Sequence, residues 1–254
     1  MTDYSNASYR SDTGLWHLTV RVSDHGVSAW LNLKDSETEP PRVLVDSTWP
    51  KERDGLMAKI ENAVYDNPDV LDDYAATIIV ESSRTLVVPD SELKEDGDAE
   101  RLYTMVYKTR NEDVMSDESG AETILFTLIP GMIAFLRRTF PGARVRSHLG
   151  MFIEKVRDLG AGLRIFLDLR PGETDIVALN GDTLLSASVQ PYTEWTDIIY
   201  RIFNLMDVYS LKSDECEVSI SGADADMYRK LSEFLVPKCA SVRQLNHDSP
   251  QKTI

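Results

Sequence analysis

Two turn sequences in the C-terminal half leave the chain around them little choice of structure. RPGET (Arg170–Thr174) and NGD (Asn180–Asp182) separate three apolar runs: LRIFLDL (Leu163–Leu169), DIVAL (Asp175–Leu179) and LLSASV (Leu184–Val189). Short glycine-containing links between β-prone runs close hairpins, because glycine adopts the positive φ that such turns need. Three successive strands are therefore expected. A helix follows from about Thr193 to Asp207, with Trp195, Ile198, Ile199, Ile202 and Met206 on one face. EVSIS (Glu217–Ser221) is a fourth strand, and Asp226–Val236 a second helix, capped by Asp224 and stopped by Pro237. Ala240–Leu245 is a fifth strand, and 247–254 a tail. The order β-β-β-α-β-α-β describes a mixed sheet with helices on its faces.

The N-terminal half opens the same way after a polar tail, 1–15. Trp16–Val22 and Val27–Leu33 alternate around the turn Ser23–Gly26, and Arg42–Asp46 makes a third strand. Pro50 stands at a first helical position, Leu56, Ile60 and Val64 recur at helical spacing, and Asn67-Pro68 stops the helix. Ala76–Val80 and Thr85–Val88 read as strands. The window 90–122 holds eleven acidic and four basic residues; it is expected to be an acidic loop insertion, interrupted by a strand at Leu102–Tyr107. Thr123–Ile129 (strand), Gly131–Phe140 (helix), Arg144–His148 (strand) and Met151–Leu159 (helix) complete the series. The expected organisation is a first lobe over 16–148, carrying the insertion 90–122, and a second lobe over 149–246.

Composition narrows the function. The 254 residues are 42% hydrophobic, enough for a sizeable core, and 27 basic against 42 acidic residues give a net charge of −15. Such a chain repels phosphate backbones, so nucleic-acid partners are not expected. Two cysteines form no disulfide framework, and the four histidines show no metal-ligand spacing. The longest apolar run, Ile124–Leu136, is broken by Pro130-Gly131 and followed by Arg137 and Arg138, so no membrane insertion is expected. The start lacks a basic region followed by an apolar core, and the expected location is cytoplasmic.

Three segments carry a family resemblance. FLDLRPGETDIVAL (Phe166–Leu179) resembles the second phosphate-binding hairpin of the actin-like ATPase superfamily, with Asp168, Gly172 and Thr174 on motif positions and Asp175 on the polar one that follows. VSISGADADMY (Val218–Tyr228) resembles its adenosine motif, with Gly222 on the second glycine and Ser221 in place of the first. VSDHGVSAWL (Val22–Leu31) stands where the first phosphate hairpin would, with Asp24 and Gly26 in the turn. More narrowly, the opening hairpin, VVPDSEL (Val87–Leu93) and the strand-helix-FP-strand stretch Thr123–Val145 resemble an uncharacterised bacterial family with an actin-like fold. The resemblance implies an α/β fold of two RNase H-like subdomains with mixed sheets, meeting in a cleft.

It also implies a ligand, Mg-ATP, held by Asp24, Gly26, Asp168, Arg170, Gly172, Thr174, Ser221 and Gly222. The residues depart from the pattern where close approach matters. Arg170 replaces the first glycine of the second hairpin, and Val27 replaces the hydroxyl residue after the glycine of the first. Phosphate hairpins work because glycines let backbone N–H groups reach the oxygens, and an arginine side chain fills that space. The expectation is a degenerate, non-catalytic scaffold that binds another protein, self-association included; no catalytic residue and no metal ligand is assigned. The alternative is an ATP-binding protein or weak ATPase. An RNase H-type nuclease using Asp168, Glu194 and Asp224 is a third reading, opposed by the acidic charge.

Overall fold

The computed structural model describes residues 13–36, 39–50, 55–108 and 113–245. The C-terminal tail expected at 247–254 lies outside the described residues, as do 1–12 of the N-terminal one. The strands are β1 Trp16–Ser23, β2 Gly26–Leu33, β3 Arg42–Thr48, β4 Ala75–Val80, β5 Thr85–Pro89, β6 Val114–Ser119, β7 Glu122–Thr127, β8 Arg144–Ser147, β9 Leu163–Arg170, β10 Glu173–Asn180, β11 Thr183–Pro191, β12 Cys216–Ser221 and β13 Ser241–Gln244. The helices are α1 Leu56–Tyr65, α2 Asp98–Tyr107, α3 Met132–Thr139, α4 His148–Arg157, α5 Trp195–Val208 and α6 Ala225–Leu235.

Two five-stranded sheets have the same construction, β3-β2-β1-β4-β8 and β11-β10-β9-β12-β13. In each, the first three strands form consecutive antiparallel hairpins, and the first strand pairs in parallel with a fourth that leads to a fifth. The expected β-β-β-α-β-α-β order is present in the C-terminal half; the N-terminal half opens β-β-β-α-β as expected and reaches its α3 and β8 only after β5, α2, β6 and β7, giving a mixed α/β chain. A third sheet has the order β5-β7-β6. The chain packs as two compact units, Met1–Ser82, Lys108–Asp117 and Thr127–His148 in one, and Ser83–Tyr107, Glu118–Phe126 and Leu149–Ile254 in the other.

In the first unit, α1 buries Leu56, Ile60 and Val64, one per turn of the helix. Arg21, Ile79 and Arg146 are neighbours in register on β1, β4 and β8. Both arginines are held by partners with little or no exposure. Arg21 pairs with Glu81 and donates to His148 Nε2 at 2.9 Å. Arg146 Nε donates to Asp117 Oδ1 at 2.6 Å, and the Ser147 amide donates to the other oxygen at 2.9 Å.

In the second unit, one face of the sheet packs Ile165, Leu167 and Leu169 of β9, Ile176 and Ala178 of β10, and Val218 and Ile220 of β12 against Ile198, Ile202 and Met206 of α5 and Leu231 and Leu235 of α6. The alternate residues of β9, Arg164, Phe166, Asp168 and Arg170, point to the other face. Arg164 is 1% exposed; its terminal nitrogens donate to Gly181 O at 2.7 Å and Val156 O at 3.5 Å, while its buried Nε meets no hydrogen-bond partner among the described residues.

The window 90–122, expected as acidic loop, carries α2 and β6. Leu102–Tyr107, expected as a strand on its Tyr, Thr and Val content, is the second half of α2. Tyr103 and Tyr107 are one helical turn apart, and their hydroxyls donate to Arg84 O at 2.8 Å and Thr85 O at 2.7 Å. Two such anchors on one face favour the helix over the local β propensity. Its start is closed by Asp98, whose carboxylate accepts from the amides of Lys94 at 2.9 Å and Glu95 at 3.0 Å. In β6 the inward residues are the polar Asp117 and Ser119, 4% and 0% exposed. A strand with a polar buried face has no hydrophobic alternation to reveal it. Helix α4 also begins at His148 rather than Met151, directly after β8.

Two predictions follow from these local arrangements. The amide hydrogen bonds to Asp98, and to a lesser degree Arg101, hold its carboxyl below the usual carboxylate range. Its contribution is thus complete above the unfolded pKa and lost as pH falls through the lower folded one. Amide protection across Asp98–Tyr107, corrected for intrinsic exchange, should drop on acidification from pH ~5 to ~2.5, and Asp98→Ala should show that loss already at neutral pH. The second concerns glycines. Gly222 has φ +72°, and a Cβ there would lie 2.0 Å from Leu169 O, whereas Gly172 at φ +75° has open space. Gly222→Ala should cost about 3 kcal/mol and lower Tm by roughly 6–12 °C, and Gly172→Ala about 1 kcal/mol and roughly 2–4 °C, in calorimetry.

Candidate functional site

Six of the eight candidate residues gather in the second unit, at the ends of β9, β10 and β12. The other two, Asp24 and Gly26, belong to the first unit. There the β1–β2 turn is tied down from β3: the Trp49 amide donates to His25 O at 2.8 Å, and its indole N–H to Asp24 O at 3.1 Å. A Cβ on Gly26 would lie 2.5 Å from Ser47 O. The close approach of β3 within the sheet therefore suffices to require this glycine.

In the second unit, register sets the chemistry. Asp168 on β9 is paired directly with Asp175 on β10 and with Ser221 on β12. All three side chains share one face, and the two carboxylates are 1% and 0% exposed. Their oxygens come within 4.8 Å. Like charges this close in a buried place repel unless each is neutralised or hydrogen-bonded. Both are compensated. The Arg170 guanidinium, its side chain 9% exposed, forms an ion pair with Asp175. The Ser221 hydroxyl, with one proton to give, donates to Asp168 Oδ1 at 2.6 Å, and Leu167 O lies 3.0 Å from the same oxygen. On α4, burial pushes the Lys155 ammonium down from its ordinary value, and attraction to Asp168 opposes that shift.

The other motif residues serve the same local structure. The Thr174 hydroxyl is fully buried and donates to Asp175 O at 3.2 Å. Gly172 forms the hairpin tip, and its carbonyl accepts from the Tyr192 amide at 3.0 Å. The Tyr192 hydroxyl donates to Arg170 O at 2.9 Å, and burial, followed by Asp224, pushes that phenol up. Gly222 allows Leu169 O to approach where a Cβ would otherwise sit. Lys155 and Tyr192 carried no motif signal. Their positions depend on α4 and on the end of β11, which only the fold brings to the hairpin.

The acidic residues of the nuclease reading are employed elsewhere. Glu194 is the N-cap of α5, in a capping box with Asp197, whose carboxylate accepts from the amides of Thr193 at 2.8 Å and Glu194 at 3.0 Å. Asp224 caps α6, accepting from the Met227 amide at 2.8 Å. Asp168 and Asp175 are two oxygen ligands of the kind a divalent cation takes, but Arg170 already lies on Asp175. What the arrangement does chemically is hold a hairpin rigid with buried charge. Arg170→Met should therefore lose about 3–5 kcal/mol in chemical denaturation, because it strands a buried carboxylate. Arg170→Met with Asp175→Leu should recover at least ~2 kcal/mol of that loss, because the pair goes together.

Solved structures place this architecture among known folds. A crystal structure from Bacteroides thetaiotaomicron, of a protein with actin-like ATPase fold and unknown function, superposes with a TM-score of 0.82 at 23% identity, covering 97% of this chain and 94% of that one. A PilM–PilN type IV pilus biogenesis complex gives a TM-score of 0.47 at 14% identity, with 91% and 88% covered. The cytoplasmic domain of EpsL, an inner-membrane component of the type II secretion system of Vibrio cholerae, gives 0.44 at 8%, with 81% of each chain covered. No curated protein matches the sequence. The first of these superpositions spans nearly all of both chains and assigns the actin-like ATPase fold. A family profile described as "Protein of unknown function (DUF3822)" matches residues 11–236, and the chain belongs to that family.

Proposed function

We propose that this protein is a pseudo-ATPase, an actin-fold module that works by binding a protein partner rather than by turning over nucleotide. The observation that carries the reading is the Arg170–Asp175 ion pair. It occupies the hairpin that resembles a phosphate loop, and it neutralises a carboxylate next to the place where phosphate oxygens would need backbone N–H groups. The neighbouring hydroxyls of Thr174 and Ser221 already donate to protein oxygens. Gly222 and Gly26 are accounted for by strand packing. These groups are thus engaged with protein atoms before any nucleotide is considered. A chain of net charge −15 disfavours nucleic acid, which supports a protein as the partner.

Calorimetric titration with Mg-ATP, at low and moderate salt, is the test. It is run on the wild-type chain and on Arg170→Gly/Asp175→Asn, which opens the hairpin without leaving a lone buried charge. The expected result is no heat of binding in either protein at millimolar nucleotide, and no phosphate release. Sub-micromolar binding by the wild type, with measurable hydrolysis, would replace this reading with that of a working ATPase.

A further inference from the structure

At the edge strand of the second unit, the sheet face that carries the core changes character. Three cross-strand rows run outward from β9: Ile165–Ala178–Ser186, Leu167–Ile176–Ser188 and Leu169–Thr174–Gln190. The apolar members on β9 and β10 are covered by α5 and α6, but Ser186, Ser188 and Gln190 on β11 are only half-buried. Helix α5 therefore leaves a groove between itself and β11, with a cavity of about 270 Å³. Ile176 lies on its floor, and Arg201, Asn204 and Val208 line the helical side at successive turns. The rim is apolar and uncovered: Val208 is 67% exposed and Tyr209 44%.

Charge decides what such a groove can take. Of the residues lining it, Arg201 alone carries a cationic side chain; the rest are hydroxyl, amide, phenol or hydrocarbon. Arg201 forms no ion pair among the described residues. The carboxylate one turn back, Asp197, is committed to the amides of Thr193 and Glu194 at the start of α5. Asp197 still feels the Arg201 charge, but within the groove itself the guanidinium is the single cation, set among neutral donors. The strand side offers hydroxyls and an amide at two-residue spacing, the repeat of an extended peptide. The exposed Val208 and Tyr209 supply the apolar contact that a peptide side chain needs.

We propose that the groove between β11 and α5 is the docking site for an extended segment of a partner protein, and that a carboxylate of that segment sits on Arg201. This inference rests on the protein-binding reading above and gives it a place and a chemistry.

The test uses the full chain as bait for a phage-displayed library of random dodecapeptides. Enriched sequences are then synthesised with a fluorescent label and titrated by anisotropy against the wild type, Arg201→Gln and Asn204→Asp. Enriched sequences should share an Asp or Glu, bind each variant at least tenfold more weakly than the wild type, and weaken as NaCl rises from about 50 to 500 mM. The two variants are independent. One removes the cation and the other adds a like charge, and circular dichroism establishes that each is folded. Enrichment of no sequence overturns the proposal, and so does a set of sequences that binds both variants as it binds the wild type. The latter result removes the groove but leaves a protein-binding module. Nucleotide turnover in the earlier titration would remove that module reading without touching the groove.

Discussion

Two aspartates set opposite one another on adjacent central strands are the constraint around which the second unit is organised. Register alone puts Asp168 and Asp175 side by side on one face, out of water. Buried like charges are tolerated only with compensation, so the surrounding residues are placed to supply it. Arg170 turns onto Asp175 instead of leaving the hairpin, and Ser221 turns its hydroxyl onto Asp168 from β12. The Tyr192 hydroxyl then ties the end of β11 to the backbone of Arg170. Residues that resemble a ligand-binding motif in one dimension are, in three, engaged with one another.

This explains what the sequence could and could not disclose. Hairpin turns and helical periodicity are local, and every strand of the two large sheets was legible from them to within a few residues. The pairing of Asp168 with Asp175 was implicit in the RPGET turn, because fixing the hairpin fixes its register. What escaped was structure sustained by polar contacts between distant segments. Helix α2 depends on two tyrosine hydroxyls reaching the carbonyls of Arg84 and Thr85, where β5 begins, and β6 turns Asp117 and Ser119 inward, to Arg146 and to the Gly150 carbonyl. Neither leaves an apolar period in the sequence. The direction of Arg170 escaped for the same reason, since its partner lies across the hairpin.

The glycines show how one residue type can serve two explanations. Gly26 and Gly222 lie in segments whose sequence resembles the nucleotide motifs of the actin-like superfamily, and each is independently required by a carbonyl that would meet a Cβ. Close backbone approach is common to both demands. A fold that already brings strands this near to a glycine therefore retains it with or without a ligand. An actin-like fold is in this sense compatible with nucleotide chemistry or with none, and the fold alone does not decide between them.

The path of the chain also has a consequence for its synthesis. The sheet of the second unit is encoded by one continuous stretch, β9 to β13, whereas the first sheet takes β1–β4 and then waits for β8. Between them the chain passes through β5, α2 and most of β7, which belong to the second unit. On a ribosome these segments emerge before any other part of their unit has been made. Ile124, Leu125 and Phe126, fully buried at the end, spend that interval as nascent apolar surface. The interleaving makes the C-terminal half a requirement for sheltering residues translated long before it.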